Sequence, residues 1–227
     1  MTPTGAPGAI LIVGAGPGIG LATAERFGRE GWTVVLAARN PRTLDPMVAR
    51  LIGAGVDAHG IVLDATDPVA VRAGVRTADR LAERLTTVLY NAAVVRQQDL
   101  FSMTDAEVSA DVAVNITGGL NTIRAAEQVF ADRGVTILVT GGGLAVHPHA
   151  SYASLGLGKA ALRNLVEGLA PDLAPRGIRI AMATVATLVA PDSAEANDVA
   201  ETLWSLATQP DAGWERSYPP VSLSRAA

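Results

Sequence analysis

One turn constrains the fold of this chain more than any other feature. Gly14-Ala15-Gly16-Pro17-Gly18-Ile19-Gly20 follows directly on a run of five apolar residues, Ala9-Ile10-Leu11-Ile12-Val13, and opens onto an amphipathic stretch over 21–30. A continuous branched run ended by glycine reads as a strand covered on both faces. The stretch after it reads as a helix. Passing from strand to helix through four glycines requires a backbone that adopts unusual φ and lets another group come close.

The same alternation continues along the chain. Apolar runs at 33–37, 56–63, 85–90, 135–139 and 178–185 read as strands. Helical stretches lie at 41–54, from Pro68 onward, 155–173 and 194–207, and 104–130 holds one long helix or two. Proline suits the first turn of a helix, which supports Pro41 and Pro68 as starts. Strands alternating with helices imply an α/β fold: a single domain over 1–227 with a doubly wound parallel sheet and helices on both faces. Residues 1–8, rich in Pro, Gly and Thr, read as a flexible N-terminus, and 208–227 as an irregular C-terminal tail.

Composition narrows the function classes. With 49% apolar and 18% charged residues, 227 residues can bury one large core, which excludes a disordered chain. Aromatics are only 4%, so Ala, Val, Leu and Ile must build that core. A net charge of −4 and no basic stripe argue against a nucleic-acid partner. The absence of cysteine removes disulfides, thiolate chemistry and Cys-based zinc sites, and no metal site is expected. No apolar run reaches the ~18 residues of a membrane span, and the first residues lack a basic n-region. A cytoplasmic protein acting on a small molecule is the expectation.

In its strand–turn–helix setting the glycine turn reads as a dinucleotide site. The glycines leave bare backbone for a pyrophosphate, and the helix N-terminus points its N–H groups at it. Gly14, Gly16, Gly18, Ile19 and Gly20 are the contacting residues. An NAD site places an acid at the end of the second strand, about 20 residues further on. Here the segment reads Leu36-Ala37-Ala38-Arg39-Asn40, with no acid. The Arg39 guanidinium matches a 2′-phosphate in forked geometry, so NADP(H) is expected rather than NAD(H).

With these pieces placed, the chain resembles the short-chain dehydrogenase/reductase family over essentially its whole length, which implies a Rossmann-type fold. Asp64, followed by Ala65, takes the position of the family's acidic segment at the adenine. Tyr90-Asn91-Ala92-Ala93 is similar to the motif bordering the cofactor, which assigns Asn91 and Ala92 to the nucleotide. Asn115 resembles the mid-helix Asn that helps hold a proton-relay water. Lys159 resembles the lysine that lowers the catalytic phenol's pKa and holds the nicotinamide ribose.

The resemblance breaks at the chemistry. The family's Tyr stands four residues before the Lys, and Leu155 occupies that position. The family's Ser stands about a dozen residues earlier, nearest to Gly142. Neither leucine nor glycine can donate a proton or hold an oxyanion through its side chain. Tyr152 offers a second register, but it precedes Lys159 by seven residues, roughly 10.5 Å of helical rise, so direct contact needs an unwound segment at Gly156 and Gly158. His147 and His149 are alternative proton donors near pH 7, and Ser151 and Ser154 bring further hydroxyls. The family's Pro-Gly pair after the sixth strand is missing, leaving Thr187 as a nicotinamide-side contact and a shortened lid.

Three readings stand open: an NADP-dependent oxidoreductase with an altered proton donor, a non-redox dehydratase, isomerase or cyclase, and a non-catalytic nucleotide-binding subunit. The helix over 155–173 is apolar around much of its circumference, so it is expected to pack in a homodimer or homotetramer, as the resemblance also implies.

Overall fold

The computed structural model describes residues 8–209 and 211–220. Seven strands form one parallel sheet in the order β3-β2-β1-β4-β5-β6-β7: β1 (Ala9–Val13), β2 (Thr33–Ala38), β3 (Ala58–Val62), β4 (Thr87–Tyr90), β5 (Val135–Gly142), β6 (Ile178–Val185) and β7 (Glu215–Tyr218). β1 pairs with β2 on one side and β4 on the other. Chain order reverses at that boundary, so the connections leaving β1 and β4 diverge and open a crevice at their carboxyl ends.

The two-residue period of the strands divides the core between the faces. Ile10, Ile12, Val34, Leu36, Leu138 and Ala183 pack with α1 (Ile19–Gly28), α2 (Pro41–Gly53) and α7 (Ala194–Thr208). Leu11, Val13, Val35, Ile137 and Met182 pack with α3 (Pro68–Leu81), α5 (Gly119–Phe130) and α6 (Ala153–Leu173). The few aromatics concentrate on the first face, where Phe27, Trp32 and Trp204 meet edge to face at 4.9–5.5 Å.

The 104–130 stretch is one helical run. α4 (Asp105–Val112) starts at a capping box between Thr104 and Glu107 and passes through a π-helical stretch, Ala113–Gly118, into α5. α6 begins at Ala153, two residues earlier than its periodicity suggests, and runs unbroken through Gly156 and Gly158. The unwound segment that would bring Tyr152 to Lys159 is therefore not present.

The C-terminal stretch departs from the sequence reading. Residues 215–218, read as irregular, form β7, which pairs with β6 along Met182–Val185. Glu-Arg-Ser-Tyr carries no strand-like apolar pattern, and what holds it is polar. The Glu215 carboxylate accepts two hydrogen bonds from Arg163 of α6, at 2.9 and 2.7 Å, and one from Thr184 Oγ1 at 2.6 Å. The Arg163 guanidinium also stacks over Trp214. Residues 1–7 and 221–227, covering most of the flexible-terminus reading and the end of the tail, lie outside the described residues. Among the described residues no helix is long and apolar enough to cross a membrane.

Removing one partner of a largely buried, bidentate ion pair leaves the other's charge unmatched. Glu215→Ala is expected to cost about 2–3 kcal/mol by urea unfolding, and to raise hydrogen exchange in β7 before the rest of the sheet. A loss below about 0.5 kcal/mol, the range of an ordinary exposed pair, would contradict this role.

Candidate functional site

A cleft of about 990 Å³ runs along the carboxyl edge of the sheet. Its floor is set by the approach of β1 to β4. Gly14 has φ +88°, and a Cβ there would lie 2.3 Å from the Ala92 nitrogen, so only glycine fits. A Cβ on Gly16 would meet nothing within 4 Å, and one on Gly18 only the Val189 carbonyl at 4.0 Å. The hollow above the turn is thus clear of protein atoms. α1, which begins there, has no side-chain cap, whereas α2, α3, α4 and α7 are capped by Asn40, Asp67, Thr104 and Ser193. An uncapped helix N-terminus facing a clear hollow suits an anionic group.

A line of hydrogen bonds links the turn to the far end of the cleft. Asn91 Nδ2 donates to the Gly14 carbonyl at 3.0 Å, and Thr140 Oγ1 donates to Asn91 Oδ1 at 2.9 Å. Lys159 Nζ then donates to the Thr140 carbonyl at 2.7 Å. The ends of β1, β4 and β5 and helix α6 are thereby held in one register.

The cleft wall includes Gly14, Gly16, Gly18, Ile19, Gly20, Arg39, Asp64, Ala65, Asn91, Ala92, His147, Tyr152, Lys159 and Thr187. Arg39 and Asp64 stand at the β2–β3 end. Hydrogen bonds from the Thr66 backbone and hydroxyl, with the charge of Arg39, hold the Asp64 carboxyl below its ordinary range despite some burial. Asn40 and Thr43, beside Arg39, were not singled out from the sequence. At the other end Leu155 lies in the wall one helical turn before Lys159, and Gly142 rests on the lysine stem, where a Cβ would lie 3.0 Å from Lys159 Cγ. Burial lowers the Lys159 ammonium to about 8.

Four sequence candidates, Asn115, His149, Ser151 and Ser154, lie outside the cleft wall. Asn115, buried in the π-helical stretch, accepts from the Val94 N–H at 2.7 Å and donates to the Val94 carbonyl at 3.1 Å. Ser154 is buried and donates to Asp111 at 2.7 Å. His149, outside the wall as well, accepts from the Ser151 N–H and lies edge-on to Tyr152.

Asp111 was missed by the sequence reading. Its side chain is fully buried and accepts two bonds from Arg96, at 2.9 and 3.2 Å, besides that of Ser154. Burial raises its carboxyl, but the bonds from Arg96 and Ser154 and the Arg96 charge outweigh it, so the net shift is downward. Asp111 precedes Asn115 by four residues on one helical run, the spacing at which side chains share a face. That spacing was the available signal. Together they pin Arg96 and Val94, and Gln98 pairs with the Tyr152 main chain in an isolated bridge. The loop between β4 and α4 is thus held at Val94, Arg96 and Gln98, and Val95 between the first two lines the cleft.

The chain belongs to the short-chain dehydrogenase family, whose model, described as short chain dehydrogenase, matches residues 8–199. It is 30% identical over 170 residues to the short-chain reductase protein NovJ of Streptomyces niveus, covering 75% of this chain and 65% of that relative. The match thus spans about two thirds of that curated relative's length. A short-chain dehydrogenase from Mycobacterium smegmatis superposes with a TM-score of 0.86 at 28% identity, covering 96% of this chain and 93% of that one. A metagenomic short-chain oxidoreductase in complex with NADP superposes at 0.82 with 26% identity, covering 92% and 96%.

A lysine whose folded pKa lies below its unfolded value costs stability wherever both states are charged, and that cost fades as pH rises from the folded to the unfolded pKa. Lys159→Met is therefore expected to stabilise the nucleotide-free protein at pH 7 by about 1–3 kcal/mol. The advantage should shrink between pH 8 and pH 10.5, the window set by the shift. Thermal unfolding of both proteins across that range checks it, and a difference that does not change with pH would contradict it.

Proposed function

We propose that this chain binds NADP(H) in preference to NAD(H) and is an oxidoreductase for a carbonyl or alcohol substrate, with a proton donor other than the family's tyrosine. The observation that carries this reading is the cleft wall itself. One end offers Arg39 beside a hollow suited to phosphate, and the other sets Leu155 one turn before Lys159. A bound nicotinamide nucleotide would supply the hydride. Gly14, Gly18 and Ile19 would hold the pyrophosphate, and Arg39 the 2′-phosphate. Asp64, Ala65, Asn91 and Ala92 would border the adenosine and ribose, Lys159 the nicotinamide ribose, and Thr187 its amide side. The relative solved with NADP supports the nucleotide class. His147 and Tyr152 are wall residues whose side chains could serve as the proton donor.

We also propose that the chain self-associates through α5 and α6. Leu120 and Leu157 stand exposed on those helices, Leu157 to 55%. Sedimentation showing only a monomer of 23.3 kDa at micromolar concentration would contradict this.

Arg39→Asp should invert the nucleotide preference, since it replaces an attractive contact to the 2′-phosphate with repulsion. The expected change is about 1.5–3 kcal/mol, or tenfold and more in relative affinity. Calorimetric titration with NADPH and NADH checks it, and equal affinities in the unmodified protein would contradict it.

The donor assignment has its own test. The unmodified protein is expected to bind NADPH yet reduce simple aldehydes and ketones poorly, followed at 340 nm. Leu155→Tyr combined with Gly142→Ser is expected to raise that rate, general acid catalysis being worth about 10²–10⁴-fold. Ordinary rates in the unmodified protein that vanish in Tyr152→Phe would instead make Tyr152 the acid in the family's sense and overturn the reading of Leu155.

A further inference from the structure

Lys159 is the only lysine in the chain; the other seventeen basic residues are arginine. Arginine serves every other cationic position, including the ion pairs at Arg26, Arg96 and Arg163. What arginine cannot do is lose its proton and present a nucleophilic lone pair, and lysine can. We propose that Lys159 is a nucleophilic amine that captures apolar aldehydes as imines in the nucleotide-free cleft.

The geometry supports this independently of the redox reading. Lys159 lies in the cleft wall, and its Nζ makes one hydrogen bond, to the Thr140 carbonyl. That neutral acceptor leaves the ammonium without a counter-ion among the described residues. Asp64, the carboxylate of the wall, stands at the β2–β3 end of the sheet, with Arg39 beside it, whereas Lys159 lies over β5. No hydroxyl neighbours the amine one turn back, because Leu155 is there. Leu144, against Gly156 of α6, and Leu155 line the cleft at this end, while Val95 and Leu188 of the same wall are exposed. An amine desolvated in an apolar pocket is a recognised form of activated nucleophile. With Lys159 at about 8, roughly 300-fold more of it is free amine at pH 7 than for an ordinary lysine.

The step balances without an oxidant or reductant. The neutral Nζ adds to the aldehyde carbon, a C–N bond forms, and the carbonyl π pair moves to oxygen, which takes up a proton. The nitrogen loses a proton, and its lone pair then expels the protonated hydroxyl as water. This leaves an iminium, and loss of its N–H proton returns the proton spent on the hydroxyl, so one aldehyde and one amine give one imine and one water. Water in the open cleft delivers the proton to the leaving hydroxyl.

The test uses the full chain with hexanal and sodium cyanoborohydride at pH 7, the hydride reagent converting the iminium to a stable secondary amine. N-acetyl-lysinamide in the same solution serves as the reference amine, and peptide mapping by mass spectrometry locates the label. The proposal predicts alkylation of Lys159 at least about tenfold faster than the reference, with a rate that saturates in hexanal. Lys159→Arg should leave only the terminal amine labelled. Labelling of Lys159 no faster than the reference, in protein whose circular dichroism is native, would overturn the proposal. NADPH affinity, measured separately by titration, keeps the two readings distinct. Slow labelling with tight NADPH binding defeats the nucleophile and spares the nucleotide site. Fast labelling that persists unchanged under saturating NADPH supports the nucleophile and defeats the placement of Lys159 at the nicotinamide ribose.

Discussion

The close approach of Gly14 to the backbone of Ala92 is the contact on which the rest of the site depends. It occurs where strand order reverses between β1 and β4, the boundary at which a doubly wound sheet opens. A side chain at Gly14 would separate the strand ends by force, because its Cβ would stand 2.3 Å from the Ala92 nitrogen. With the ends held together, the Asn91 amide reaches the Gly14 carbonyl, Thr140 reaches Asn91, and Lys159 reaches Thr140. Four elements far apart in sequence are joined by three hydrogen bonds at one edge of the sheet. The glycine turn and Lys159 are consequently parts of one unit.

The two ends of the cleft differ in chemistry, and the difference explains the mixture of familiar and altered features. The β2–β3 end has charged groups in a polar setting, with Arg39 and Asp64 facing the same space. The β5 end sets Leu144 and Leu155 beside Thr140, His147, Tyr152 and an ammonium that has no counter-ion among the described residues. An ammonium in such surroundings loses hydration and gains only the dipole of the Thr140 carbonyl in return, which is why its proton is weakly held. A neighbouring phenol and hydroxyl would share that proton and screen it.

Much of the fold was legible because its signals are local. The buried runs of β1 and β6 announce themselves by composition, and the glycine turn by the close approach it must permit. β7 was not legible, since Glu215 and Arg216 look like surface residues until Arg163, on a helix fifty residues earlier, is placed against Glu215. The same reason hid the role of Asp111. A carboxylate in a helix reads as solvated, and only the folded chain brings Arg96 and Ser154 to it. Asn115 was picked by its resemblance to the family's mid-helix Asn and Ser154 for a hydroxyl near Tyr152, and the folded chain bonds Asn115 to Val94 and Ser154 to Asp111. The offset between Tyr152 and Lys159 was readable from spacing alone, and the unbroken α6 preserves it. The identity of Lys159 as the sole lysine lay in plain view, yet its meaning required the apolar cleft.

The most direct measurement of the central claim, that one continuous cleft holds a phosphorylated dinucleotide with its reactive end against an apolar wall, is a crystal structure of the chain grown with NADP⁺. The 2′-phosphate should lie on the Arg39 guanidinium, the pyrophosphate over the N-terminus of α1, and the nicotinamide beside Leu155, with no protein hydroxyl bonded to Lys159. A nucleotide whose 2′-phosphate turns away from Arg39, or a Tyr152 hydroxyl seated between Lys159 and the nicotinamide, would contradict it.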